Sequence, residues 1–287
     1  MIMTEKKSSV QMQADQWAGE RGEKWNEHLD QFEGGIAEIG SALIAAAELT
    51  EGERVIDVGC GAGATSLEIA RIVGDQGRVT CLDISPVLLE TAKGRARARA
   101  IENIDFLIGD ATQADIPNAD FDCLFSRFGI MFFDEPFAAF AHMHTLLNPR
   151  GRLNFACWGP LPENPWVTQP MSIVRQYVET PPPEPRAPGP FAFDDPEYVT
   201  DILTRAGFID VSFTPWHGEQ LVGGPGSTPS SAAEFMMNAL FVGEALAEQP
   251  QQIKDRALNE LATLMADFQS ADGIRMPATA WLVSAKV

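Results

Sequence analysis

Positive charge is in short supply in this sequence. Its 287 residues hold 21 Lys and Arg against 40 Asp and Glu, a formal net charge of −19 with a pI near 4.5. A surface this acidic repels DNA, RNA and anionic lipid, all of which bind clustered cations. The one basic run, Lys93 to Arg99, spaces its arginines around different sides of a helix and reads as a solvated surface. Cysteine is scarcer still, at four residues. Cys60, Cys81, Cys123 and Cys157 stand far apart, with no CxxC and no neighbouring histidine pair. Each lies in or beside an apolar run, as a small hydrophobe would, so neither a zinc site nor a disulfide is expected. No apolar run approaches the roughly 18 residues of a membrane span. "MIMTEKKSSV" has lysines with no apolar stretch after them, so no secretory signal is read and cytoplasmic residence is expected.

What is present is alternation. "RVIDVG", "RVTCLDI", "IDFLIGD", "FDCLFSRF" and "GRLNFACW" have nearly unbroken apolar cores, as strands covered on both faces do. Between them lie helical stretches. Ser66, Ile69, Ala70 and Val73 share one helix face. Ser85 is placed to cap a helix that opens on Pro86, and "EPFAAFAHMHTLL" runs to a stop at "NPRG". The pattern predicts an α/β, doubly wound, mainly parallel sheet.

The whole chain, 1–287, reads as a single domain. Residues 1–50 form a helical N-terminal cover and 51–158 a ligand-binding core. A proline-rich acceptor-side insertion covers 159–195, with some helix near "PMSIVRQYV". Residues 196–287 return to strands around a helical insertion at about 230–268.

"VIDVGCGAGATSLEIA" poses the functional question. A triphosphate loop would end in Gly-Lys-Ser/Thr, and this one continues Gly63-Ala64-Thr65. Gly59, Gly61 and Gly63 alternate, where a dinucleotide fingerprint needs a longer last gap. Asp57, at the carboxyl end of the first strand, opposes a pyrophosphate and attracts an ammonium. A ligand with an amino-acid head, a sulfonium and a nucleoside suits such a rim, which points to S-adenosylmethionine. The glycines, with Cys60 between them, let the backbone approach it. Asp83, 24 positions beyond Gly59 and followed by Ile84, can accept both ribose hydroxyls. Asp110 can accept from the adenine amino group.

From Arg54 to Trp158 the chain resembles a class I S-adenosylmethionine-dependent methyltransferase, and within that superfamily the ubiquinone/menaquinone-biosynthesis-like small-molecule group. "VIDVGCGAG", "VTCLDIS", "IGDAT", "FDCLFSRFGIMFF" and "LLNPRGRLNFACW" carry the resemblance in order. It implies seven strands in the order 3-2-1-4-5-7-6 with the last antiparallel. It also implies Asp83 at the ribose, Asp110 and Ala111 at the adenine, Ser126 offering backbone near the methionine amine, and Trp25 in an aromatic cover.

Methyl transfer from a sulfonium is an in-line displacement on an activated donor, so alignment and exclusion of water carry the catalysis. The Trp17–Trp25 segment and the proline-rich stretch are the natural covers. Arg127 is read either as pairing with Asp134 or as holding an acidic group of the acceptor, with Phe128, Met131, Phe132 and Trp158 as an apolar wall. The candidates for a base are His28 and His217, whereas His142 and His144 read as structural. No metal is expected. The acceptor is expected to be a small, partly apolar metabolite, aromatic or quinone-like, methylated on O, N or C. The rival readings are a non-catalytic donor-binding or scaffold protein and an NAD-dependent oxidoreductase. A nucleic-acid methyltransferase is disfavoured, because Ser126-Arg127-Phe128-Gly129 stands where an Asn/Asp-Pro-Pro-aromatic block would.

Overall fold

The computed structural model describes residues 15–181 and 184–287. Seven strands form one sheet in the order β3-β2-β1-β4-β5-β7-β6. They are β1 (Arg54–Val58), β2 (Arg78–Asp83), β3 (Ile104–Ile108), β4 (Phe121–Arg127), β5 (Leu147–Trp158), β6 (Ile209–Val222) and β7 (Ile274–Lys286). The first five are parallel, and β7 runs antiparallel to both β5 and β6. The expected order and the reversed last strand are both met.

The apolar strand cores are buried because helices cover both faces. In β1, Val55, Ile56 and Val58 are all inaccessible, as strands that feed crossovers must be. The crossover helices are α4 (Ala64–Val73), α5 (Pro86–Ala98), α6 (Pro136–His144) and α8 (Pro196–Arg205). Ahead of them come α1 (Glu20–Glu27), α2 (Leu29–Gly35) and α3 (Ala37–Ala46). These three pack in turn on α5, β6 and β5, so the N-terminal helices bridge the carboxyl rim of the sheet. Helices α7 (Pro165–Val174), α9 (Pro229–Ala239), α10 (Phe241–Leu246) and α11 (Gln251–Ala266) cluster with one another beside β7. No helix among the described residues is long and apolar enough to cross a membrane.

Local readings shift in four places. The "NPRG" turn is absorbed into β5 as a bulge, where pairing with β4 jumps from Phe121↔Leu147 to Cys123↔Arg152. Strand β6 continues past "IDVSFTPW" to Val222, because "HGEQLV" keeps alternating along the β7 edge. Ser85 stands at the N-cap of α5, but its hydroxyl makes no capping bond; its amide donates instead to Asp83 Oδ1 at 2.8 Å. The basic run on α5 is not wholly solvated. Arg95 pairs with Glu33 at 2.8 Å and donates to the Ala62 carbonyl, tying α2 to the glycine loop.

Candidate functional site

The glycines do three different jobs. Gly59, at φ +67°, brings the loop against the turn after β4. A Cβ there would lie 2.7 Å from Gly129 Cα. Gly61, at φ +55°, meets nothing within 4 Å of its missing Cβ, and so leaves open space on the cavity side. Gly63, at φ +78°, caps α4 and sits against Ala92, where a Cβ would approach to 3.0 Å. It closes a helix contact and does not line the cavity.

The acids are also distinct. Asp83 is buried, accepting from Gly61 N at 2.7 Å and Ser85 N at 2.8 Å. Burial pushes its carboxyl above the usual range while these backbone donors pull it back. With the Ile84 amide as a third donor, the carboxylate still keeps lone-pair capacity for a ligand. Asp110 accepts from Thr112 N at 2.9 Å and lines the cavity with Ala111 and Ile84. Asp57, expected on the rim, is turned away from it. Its Oδ2 accepts from Thr65 Oγ1 at 2.8 Å and Ser66 Oγ at 2.6 Å, and it is 1% exposed. Those hydroxyls project from the first turn of α4, directly behind the loop. Burial raises the Asp57 carboxyl to about 6 against these two bonds, and Oδ1 has no partner. Asp57 therefore acts on the cavity only through its field.

The cavity these groups border has a volume of about 290 Å³ and runs from the glycine loop and Asp110 into an aromatic half. Phe128 stacks on Trp158 at 4.4 Å, and Trp158 meets Trp166 at 4.8 Å. On the N-terminal side Trp25 stacks on Phe32 at 4.0 Å, and Trp17 meets Phe132 edge-on at 5.2 Å. Phe128 holds φ +62°, a left-handed backbone that a phenylalanine adopts at a cost of roughly 1–2 kcal/mol. That conformation lets Gly129 fit against Val58 and Gly59 while the ring reaches Trp158.

Arg127 lies on the cavity wall, its side chain along Gly40 of α3. It makes no ion pair among the described residues, and the expected pairing with Asp134 is absent. Burial lowers the guanidinium's affinity for its proton, and the fields of Glu33, Asp57 and Glu68 restore part of it.

Of the residues expected from sequence, Trp25, Gly59, Cys60, Gly61, Asp83 and Ile84 line this one cavity, as do Asp110, Ala111 and the Arg127-to-Trp158 set. Four besides Asp57 do not. Gly63 faces Ala92. Ser126 is fully buried and ties β4 to β1 through a 2.7 Å bond to the Val58 carbonyl. His28 packs edge-on against Phe235, behind the wall. His217 is an exposed residue within β6, opposite Thr279. Of the other two histidines, His142 meets the Ala114 carbonyl at 3.1 Å and His144 packs on Phe208. Cavity residues not foreseen include Phe32, Trp166, Gln220, Phe235 and Phe241. Asp134, expected only as an arginine partner, is another wall residue.

Residues 55–151 match a family described as a methyltransferase domain. Aklanonic acid methyltransferase DauC of Streptomyces sp. (strain C5) is 34% identical over 117 residues, covering 41% of this chain and 53% of that protein. The ubiquinone/menaquinone biosynthesis C-methyltransferase UbiE of Teredinibacter turnerae is 30% identical over 126 residues, covering 43% and 51%. The chain thus spans about half the length of these curated relatives. A putative methyltransferase from Bacillus halodurans shares the fold, with a TM-score of 0.56 at 15% identity over 86% of this chain and 97% of that one. Residues 55–151, running from β1 into β5, thus match a methyltransferase domain, and the sheet has the fold of that solved structure.

Proposed function

We propose that the protein binds S-adenosylmethionine along the β1–β3 rim and transfers its methyl group to a small, partly apolar metabolite in the aromatic half. The observation that carries this reading is the division of one continuous cavity into a glycine-and-acid end and an aromatic end. The residues fit the donor. Gly61 leaves space where a side chain would intrude, Asp83 has lone pairs for ribose hydroxyls, and Asp110 with Ala111 can border the adenine. The buried negative charge of Asp57 and Asp83 favours a cationic ligand over a pyrophosphate. When bound, the donor supplies an electrophilic methyl carbon on a sulfonium. The chain's own contribution is orientation and dryness: Trp17 and Trp25 from the N-terminal side and Pro190 from the proline-rich segment close the walls. Calorimetric titration with S-adenosylhomocysteine and with NAD tests the donor half. Binding of the first and not the second is expected, and the reverse would end the reading. Incubating a metabolite pool with labelled donor, followed by mass spectrometry, identifies the acceptor.

Arg127, an unpaired cation on the wall, is assigned to an acidic group of that acceptor. Arg127→Ala is expected to raise the acceptor's KM about tenfold, the order of one charge-assisted hydrogen bond, and to change donor affinity less than twofold. Equal losses on both sides would transfer Arg127 to the donor's own carboxylate.

A further inference from the structure

Arg95 lies outside the cavity, yet both groups it binds belong to the cavity wall. Its Nη1 donates to Glu33 Oε1 at 2.8 Å, to Glu33 Oε2 at 2.9 Å and to the Ala62 carbonyl at 3.1 Å. Glu33 is part of α2 in the N-terminal cover, and Ala62 is part of the glycine loop. One nitrogen thus joins two wall elements that are far apart in the chain. Exposed ion pairs hold their side chains weakly, but here the two side chains are only 24% and 16% exposed. Arg127 feels the field of Glu33 without bonding to it, so the carboxylate is committed to Arg95.

The rest of α5 seats the cover in the same register. A Cβ on Gly22 of α1 would strike Ser85 Oγ at the start of α5, and Thr91 Oγ1 donates to Asn26 Oδ1 at 2.7 Å. Ser85 also gives its amide to Asp83, so one helix holds the cover, the loop and the ribose-side acid. Trp25 of α1 stacks on Phe32 of α2 along this seam, and both rings line the cavity. We propose that Arg95 is a positioning residue: by fastening Glu33 to the Ala62 carbonyl, it holds the Trp25–Phe32 cover in place over the glycine loop before the donor arrives. A wall fixed from behind need not be ordered by the ligand, and that saving appears as affinity. The proposal rests on the donor reading of the glycine-and-acid end.

Hydrogen exchange on the ligand-free full chain reads the fastening directly. Arg95→Met is expected to speed amide exchange across residues 20–35 and 59–63 about tenfold and to leave β4 and β5 unchanged. Calorimetric titration with S-adenosylhomocysteine reads the consequence. That probe lacks the sulfonium charge, so it reports position and not the added negative field of an unpaired Glu33. Arg95→Met is expected to weaken its binding about tenfold and Glu33→Gln about threefold. Arg95→Lys keeps a cation for Glu33 and should stay within about threefold of the wild type. Because both residues act through one contact, Arg95→Met with Glu33→Gln should be no weaker than Arg95→Met alone. Unchanged exchange in Arg95→Met, unchanged affinity beside raised exchange, or losses that multiply in the double variant would each overturn the proposal. Should Arg95→Met fail to fold, Glu33→Gln read by the same two measurements decides. A wild type that ignores S-adenosylhomocysteine would instead remove the donor assignment, while raised exchange in ligand-free Arg95→Met would leave the fastening of the cover standing.

Discussion

Gly59→Ala is expected to lower the thermal midpoint by about 10 °C and to abolish detectable S-adenosylhomocysteine binding. Two penalties add. The residue sits at φ +67°, which a Cβ makes unfavourable by roughly 1–2 kcal/mol. The Cβ also arrives 2.7 Å from Gly129 Cα, with the Gly129 carbonyl carbon at 3.4 Å. Both neighbours are backbone, so no side chain can rotate away, and overpacking of this kind costs about 1–3 kcal/mol more. For a chain of this size each kcal/mol moves the midpoint by roughly 2–4 °C. Relief by moving Gly129 would drag Phe128 off Trp158 and open the junction between the donor and acceptor halves. Gly61→Ala is the control. It carries a similar left-handed penalty but meets nothing within 4 Å. Its thermal midpoint should fall by only a few degrees, while donor affinity falls sharply because the new methyl occupies ligand space. Differential scanning calorimetry and titration on both variants separate the two roles. An unchanged midpoint for Gly59→Ala would show that the loop after β4 yields freely.

This contrast between glycines marks how far the sequence could be read. The loop, the strand-end acids and the sheet order were legible because each depends on residues close in the chain: an apolar run, an acid at its end, a turn, a helix. Gly63 and Asp57 stand off the cavity wall for one reason. Their partners, Ala92 and the Thr65–Ser66 pair, are met only once α4 and α5 are set in place. The hydroxyl pair eight and nine positions after Asp57 was visible, yet nothing local says whether a strand-end carboxylate turns outward to a ligand or back to a helix. The acceptor wall was harder still. Phe32, Trp166, Phe235 and Phe241 come from four helices and meet across the rim. An aromatic residue on an amphipathic helix has the same spacing whether it faces a core or a cavity. His217 lies in a strand because β6 outlasts its apolar portion: beyond Trp216 the edge strand alternates in burial with polar residues, which sequence reads as a loop.

Asp57 is expected to make the folded protein less stable as pH rises, contrary to the behaviour of most carboxylates. Its pKa of about 6 in the folded chain lies above the ordinary 3.8. The folded state therefore holds this proton more tightly than the unfolded chain does. At pH below 3.8 both states are protonated and the site costs nothing. Between 3.8 and 6 the unfolded chain releases its proton first, and stability declines. Above 6 the full penalty persists, about 3 kcal/mol for a shift of this size. Burial is its main source, with the Thr65 and Ser66 bonds offsetting part and the nearby Asp83 adding a little. Asp57→Asn removes the charge while keeping a carbonyl oxygen for the same hydroxyls. It should stabilise the ligand-free protein by up to about 3 kcal/mol at pH 8 and by far less near pH 4, read as the difference between urea unfolding curves of variant and wild type at each pH. Donor binding should move the opposite way. An ammonium brought near Asp57 lowers its pKa, so below pH 6 binding expels a proton and the affinity of the wild type for S-adenosylhomocysteine rises from pH 5 to 7. In Asp57→Asn that rise should flatten and the affinity should be lower throughout. A stability difference that does not change with pH would mean that Asp57 is not held protonated by its burial. A pH-dependent difference without any effect on ligand binding would mean that the charge is kept for the loop alone. The expected pattern, stability surrendered as pH rises from 3.8 to 6 and recovered on binding a cation, is that of a buried carboxylate retained for its ligand.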